Sequence, residues 1–309
     1  MPCPAPAPAK ERQAPRRPRV SIGLPVYNGE NYLRAAIDSL LQQTFRDFEL
    51  ILCDNASTDS TGAICRDYAA RDPRVRYDRH PKNIGAGRNF NHAVALARGD
   101  YFKWAAHDDL CAPDLLEQCV ATLDDHPDAV LVFPRARVID DASTPGEVYN
   151  DPLPTDDADP AVRFGALMGG HPCYQVFGLI RLPALRTTTL IGLYANGDGV
   201  LLCQLALRGR FIKLPDPLFF PRQHPQQSMA MVGNHRAYAH WFDPRLRSRL
   251  LFPWWRRYWE LFRSIFGYRL GFATRVRCLG HWARWVYMRK TCLLRDVAFN
   301  VRLAVNGGR

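Results

Sequence analysis

The feature that most constrains this chain is a change of apolar period that recurs through its first half. Residues 20–26, 48–53, 101–106 and 129–133 are short runs, apolar almost throughout, and a strand with no polar face must be covered on both sides. Between them the apolar positions recur every three to four residues. Leu33, Ile37, Leu40 and Leu41 follow the first run, with Asn28 or Asn31 placed to cap a helix, and Leu115, Leu116, Cys119, Val120 and Leu123 follow Pro113. Strands alternating with helices build βαβ units. The expected fold is therefore α/β, a Rossmann-like, mostly parallel sheet flanked by helices. No internal repeat competes with that reading.

In such a sheet a ligand binds beyond the carboxyl ends of the strands, so the residues ending each run carry the chemistry. They are polar: Pro25-Val26-Tyr27-Asn28 after the first, Asp54 to Asp59 after the second, and His107-Asp108-Asp109 after the third long one. Any one cluster reads as an ordinary turn or cap; three at one edge describe a polar pocket. Neither a G-x-G-x-x-G nor a G-x-x-x-x-G-K-[ST] loop occurs, so the Rossmann dinucleotide and P-loop readings lack their phosphate cradle, and Gly85 and Gly87 read as turn glycines.

The stretches LPVYNGENYLRAAIDSLLQQTFRDFELILCDNASTD and NIGAGRNFNHAVALARGDYFKWAAHDD resemble the nucleotide-sugar domain of family 2 glycosyltransferases, over residues 20 to about 229. The resemblance implies a GT-A fold, a nucleotide-sugar donor, a divalent cation (Mn2+ or Mg2+) and inversion at the sugar carbon. A departing diphosphate develops negative charge that a carboxylate-held ion neutralises. Asp109 first and Asp108 second are expected to hold it, with Asp108 also facing the donor and His224 completing the metal shell or meeting a phosphate. His107 stands where the family often carries the first Asp of its Asp-x-Asp pattern. Pro25, Tyr27 and Asn28 resemble the loop along the base, and Asp54 the carboxylate that accepts from an imide N–H. Asn83 and Arg88 belong to the donor-binding stretch that follows; Arg88 is expected to grip phosphate oxygens, whereas a structural Arg there would need its own acid partner. Asp198, at the start of an apolar helix, is the expected general base for the acceptor hydroxyl, and the alternative is a carboxylate that only complements the helix dipole. Residues 173–181 are expected to add a strand on the acceptor side.

Composition matters most at the other end. The net charge is +11, yet residues 236–309 carry sixteen basic and three acidic side chains, so the remainder is slightly acidic. Six of the seven tryptophans (241, 254, 255, 259, 282 and 285) lie in that same tail. Trp with Arg suits a helix on an anionic membrane surface. In residues 268–290, Phe272, Val276, Leu279, Ala283 and Val286 fall on one side, with Arg277, His281 and Arg284 on another. The rival reading is that the rings cement the tail to the catalytic domain; nucleic acid is not expected as a partner, for want of any recognisable module. The expected organisation is a disordered Pro/Ala/Arg-rich leader (1–19), a GT-A domain (20–235) and a basic, Trp-rich helical extension (236–309). The nine cysteines are odd in number, without a C-x-x-C pair, and mostly sit in apolar runs, as reduced packed thiols do. These features point to a cytoplasmic enzyme, peripheral on the inner face of the membrane, acting on a glycan or lipid-linked acceptor in cell-surface polysaccharide or glycolipid synthesis. A sugar nucleotidyltransferase would need a Gly-rich basic loop that residues 24–30 do not supply; a catalytically inactive donor-binding scaffold is the other alternative.

Overall fold

The computed structural model describes residues 17–225, 227, 235–245 and 252–306; most of the expected leader lies outside them. The chain runs β1 (Val20–Val26), α1 (Leu33–Leu41), β2 (Phe48–Asp54), α2 (Thr61–Arg71), β3 (Val75–Arg79), α3 (Ala86–Leu96), β4 (Tyr101–Trp104), β5 (Leu110–Cys111), α4 (Leu115–Asp125), β6 (Ala129–Ile139) and β7 (Pro145–Tyr149). It continues through α5 (Pro160–Leu167), a 3-10 turn (Tyr174–Phe177), β8 (Leu179–Arg181), α6 (Leu182–Arg186), α7 (Gly197–Ala206), β9 (Arg210–Phe220), α8 (His235–Phe242), α9 (Pro253–Phe266) and α10 (Phe272–Asn306).

Nine strands form one sheet in the order β3-β2-β1-β4-β8-β6-β9-β5, with β7 on β6. The first four are parallel; β1, β2 and β4 are buried throughout, as two-sided covering requires, and β3 at the edge is partly exposed. Beyond them the sheet is mixed: β8 runs antiparallel to both β4 and β6, while β6 and β9 are parallel. The chain leaves β1 toward β2 and β3 on one side and returns to β4 on the other, so the crevice beyond β1 and β4 is a topological switch point.

Alternation along the strands feeds two cores. Ile22, Leu24, Leu50 and Leu52 pack against Leu33, Ile37 and Leu40 of α1 and Leu116 of α4. Ile51, Cys53, Phe102 and Trp104 face the other way, onto Ala93 and Val94 of α3, Phe164 of α5 and Leu201 and Leu205 of α7. Each such buried side chain contributes roughly 1.5–3 kcal/mol. Helix α3 crosses β1 so closely that a Cβ on Gly23 would lie 2.6 Å from that of Ala93. Neither Asn28 nor Asn31 caps α1, whose N-cap is Tyr32 without a side-chain bond; Asn28 is used elsewhere.

The tail continues the second core. Leu261 and Ile265 of α9 and Cys278 and Trp285 of α10 are buried in the same cluster as α5 and α7, with Trp241, Trp254 and Trp282 packed against it. Arg257 is buried too, donating to the Met168 carbonyl (3.1 Å) with its guanidinium over the Trp285 ring. Of the apolar stripe expected on α10, Leu279 and Val286 pack against the core, whereas Phe272 is 83% exposed and Val276 is also exposed, and the buried positions are Cys278, Trp285 and Leu293. Packing on α5 and α9 fixed the face, and His281, expected among the charged residues, lies against Gly165. Trp255 and Trp259 remain 40% and 50% exposed. Among the described residues no helix is long and apolar enough to cross a membrane.

Candidate active site

A cavity of about 710 Å3 opens beyond the carboxyl ends of β1 and β4. Pro25, Tyr27 and Asn28 wall it from the tip of β1, Asn55, Asn83 and Asn89 from the β2 and α3 side, and His107, Asp108, Phe177 and His224 from the other. His240, Trp241 and Pro244, in and after α8, also line it. Of the expected site residues it gathers Pro25, Tyr27, Asn28, Asn83, Asp108 and His224; Asp54, Arg88, Asp109 and Asp198 are not on its wall.

The β1 and β2 tips are laced together. Asn28 takes a left-handed backbone (φ 51°), which Asn tolerates better than most residues. Its Oδ1 accepts from the Thr58 N–H (2.9 Å) and its own N–H donates to Ser57 Oγ (3.0 Å). Asp54 is fully buried; it accepts from the Ser57 N–H and the Tyr77 hydroxyl, both at 2.8 Å, with Arg79 3.7 Å away. A buried carboxylate must be satisfied from within, so Asp54 shapes the loop and is not on the cavity wall. Asn55 is, although the sequence reading passed over it. Its Nδ2 donates to Asn83 Oδ1 (3.0 Å), its Oδ1 accepts from the Ile84 N–H (2.9 Å), and the signal was its place beside Asp54 at a strand tip.

Opposite lies an acid–imidazole pair. Asp108 Oδ2 is 3.0 Å from His224 Nε2, and the buried His224 ring tilts against Tyr32 with centroids 4.8 Å apart. Arg222 builds this corner. Its N–H donates to Asp109 Oδ1 (2.9 Å), its Nε to the Asp108 carbonyl (2.9 Å), and its terminal nitrogen to the carbonyls of Asp140 (2.8 Å) and Asp141 (2.9 Å). A lone Arg just past a strand gave no warning of this role. Asp109 is bound into that corner, and burial, then the charge of Asp108, pushes its pKa up to about 8. Of the two aspartates, Asp108 reaches the cavity and Asp109 does not. Burial also lowers the pKa of His107, whose ring fills the space where a Gly29 side chain would be.

Asp108 and His224 fit a divalent cation. Adjacent ligands on an octahedral ion with bonds of about 2.1 Å sit about 3 Å apart, which is the Asp108–His224 spacing, and one carboxylate with one imidazole suits Mn2+ better than Mg2+.

Two of the expected residues, Arg88 and Asp198, stand off the cavity wall. Arg88, near the start of α3, has the acid partner that a structural Arg requires: its guanidinium pairs with Asp243, just after α8. Asp198 opens α7, accepts from the Gly199 N–H (2.8 Å) and faces His171, Cys173 and Arg257. Burial raises its pKa against the pull of that N–H and of Arg257. The 3-10 turn that packs on α7 also supplies Phe177 to the cavity wall.

The family model described as Glycosyl transferase family 2 matches residues 21–177, just over half of the chain. Chondroitin synthase of Escherichia coli is 42% identical over 105 residues, 34% of this chain and 15% of that protein. The chain spans less than half the length of the curated relatives it matches. Among solved structures, S. aureus TarS in complex with UDP-GlcNAc superimposes with a TM-score of 0.65 at 17% identity, over 88% of this chain and 74% of that one. The mannosyltransferase PcManGT from Pyrobaculum calidifontis, in complex with GDP-Man and Mn2+, gives 0.56 at 18%, over 94% and 76%. At such identities the likeness speaks to the fold, which is the expected GT-A arrangement. From the family match and that arrangement together, this chain belongs to glycosyl transferase family 2.

Proposed function

We propose that this chain transfers a sugar from a nucleoside diphosphate sugar of the UDP, GDP or dTDP type to an acceptor hydroxyl, inverting the sugar carbon, with Mn2+ or Mg2+ bound. The observation that carries the reading is the Asp108–His224 pair on the wall of a cavity at the switch point of the sheet. Pro25, Tyr27 and Asn28 lie along the base, and Asn83 with Asn55 closes that side. Asp54 acts by holding the loop that carries them. Asp108 and His224 hold the cation beside the diphosphate. When bound, that ion supplies Lewis-acid neutralisation of the departing phosphate charge. Asp198 accepts the proton of the attacking hydroxyl, a role for which its raised pKa suits it. One direct displacement with the diphosphate leaving from the opposite face inverts the carbon.

The acceptor is a glycan or lipid-linked chain in polysaccharide or glycolipid synthesis, reached from the cytoplasmic membrane surface. The support for that placement is the exposed aromatic row of Phe252, Trp255, Trp259 and Phe266, interleaved with the exposed Arg256 and Arg263. Thermal-shift measurements with UDP-, GDP- and dTDP-sugars, with and without Mn2+, test the donor reading. One nucleotide class should raise the melting temperature, and more so with the ion. No response to any donor in the presence of Mn2+ would reject the reading.

A further inference from the structure

On the α3 face of the sheet's edge stand three ligand-type side chains for which the transferase reading has no use. Asp78, near the end of β3, and His80, two residues on, point to one face, and Asn89 and His92, three apart in α3, share a helix face. His92 Nε2 is 2.9 Å from Asp78 Oδ1, and the His80 and His92 rings have centroids 4.4 Å apart. One ligand atom from each of Asp78, His80 and His92 lies within 4.8 Å of the others, a grouping of three found nowhere else among the described residues. A second observation is independent of that spacing. His80 Nε2 and Asn89 Oδ1 are both buried, and the Asn89 side chain is the hydrogen-bonding neighbour of the His80 ring. A metal-ligating imidazole uses one nitrogen on the ion and offers the other N–H to a nearby oxygen, for which Asn89 Oδ1 is placed.

We propose that Asp78, His80 and His92 bind a transition-metal ion of the Zn2+ type, at a site separate from Asp108 and His224. Two imidazoles and one carboxylate with an open fourth position form a zinc ligand set, and Mg2+, which demands oxygen ligands, is a poor competitor. Tetrahedral bonds of about 2.0–2.1 Å place ligand atoms about 3.4 Å apart, so side-chain rotation alone closes the site. The ion fastens the end of the edge strand to α3. The His80 N–H donates to the Asp54 carbonyl (2.9 Å), and Asn89, which lines the donor cavity, donates to the Cys53 carbonyl (2.8 Å). Occupancy therefore stiffens one wall of that cavity, yet the site itself does not depend on any transferase activity.

The test is a Co2+ titration of the chelator-treated full chain under saturating Mg2+, followed by Zn2+ displacement. A visible d–d band that saturates at one equivalent is expected, together with a rise in melting temperature of roughly 3 °C at tenfold Zn2+ over Kd. His92→Gln keeps a donor toward Asp78 but should weaken binding on the order of 100-fold or more, and Asp108→Asn should leave the band intact. Asp78→Asn, on the exposed edge strand, carries the same test if His92→Gln does not fold. No band, or one that survives in the folded ligand variant, overturns the proposal; so does a band lost in Asp108→Asn and kept in His92→Gln.

Discussion

The donor cavity and the C-terminal helices both collect the polar and aromatic side chains that stand out in this sequence, and they dispose of them differently. At the strand tips, Asn28, Asn55 and Asp108 bond to neighbouring loops and still wall a cavity, because a parallel sheet delivers every strand end to the same edge. In the tail, four of the six tryptophans are drawn into the core shared with α5 and α7, because an amphipathic helix turns its rings toward whatever it packs on. Position relative to a sheet edge thus identifies a site more securely than composition along a helix.

The sharpest way to break that comparison is at Asp108. If the strand-tip residues serve chemistry, Asp108→Asn should lower transfer at least 10^3-fold while leaving the melting temperature within a degree or two; transfer assays with Mn2+ and thermal unfolding measure the two effects. Retained transfer would place the reaction elsewhere. Asp198→Asn should cost on the order of 10^2- to 10^3-fold in kcat with donor affinity spared. Undiminished turnover would leave Asp198 as a helix-start carboxylate held by Gly199 and Arg257.

Trp285→Ala asks the converse question in the tail. It should destabilise the whole protein by about 3–5 kcal/mol in denaturant unfolding, since the ring is buried between Arg257 and the shared core. A separate, lower-stability tail transition would detach the helices from the sheet. Glu49 then compares the two ends of one strand. It sits near the start of β2, away from the cavity, buried and bonded to Arg76 (2.7 Å), Arg98 (2.7 Å) and Ser21 (2.7 Å). Burial by itself would raise its pKa, but the hydrogen bonds from Arg98, Ser21 and Arg76 leave it lowered. A lowered carboxylate contributes stability above its unfolded pKa of about 4.3 and loses it as pH falls through the folded value. Glu49→Gln should therefore cost about 2 kcal/mol near neutrality, below the usual 3–5 because both guanidiniums are partly in water, and almost nothing at the acid end of that window. Transfer per folded molecule should stay unchanged.

Much of this was legible beforehand. The strands at β1, β2 and β4, the apolar faces of α1 and α4, and the tips carrying Tyr27, Asn28 and Asp108 follow from period and from parallel-sheet geometry. Which of two adjacent aspartates reaches the cavity did not, because Arg222, more than a hundred residues later, captures Asp109. The partner of Arg88 was hidden for a similar reason, Asp243 being set by the docking of α8. Asp54 looked like a ligand because the sequence does not reveal that Tyr77 and Ser57 satisfy it.

The smallest expected effect decides what the tail's leftover surface is for. Trp255 and Trp259 form, with Phe252 and Val297, an apolar groove beside Arg256, although the Trp255 indole N–H also donates to the Leu293 carbonyl of α10 (3.0 Å). If they meet lipid, the single variant Trp259→Ala should change stability by no more than about 1–2 kcal/mol while weakening co-sedimentation of the folded protein with anionic vesicles several-fold. The binding that remains should fall further as salt screens the arginines. Equal pelleting of the wild type and the variant at low salt would show that these rings serve something other than a bilayer. The contrast between buried Trp285 and exposed Trp259, twenty-six residues apart in one basic segment, would then be a matter of packing alone.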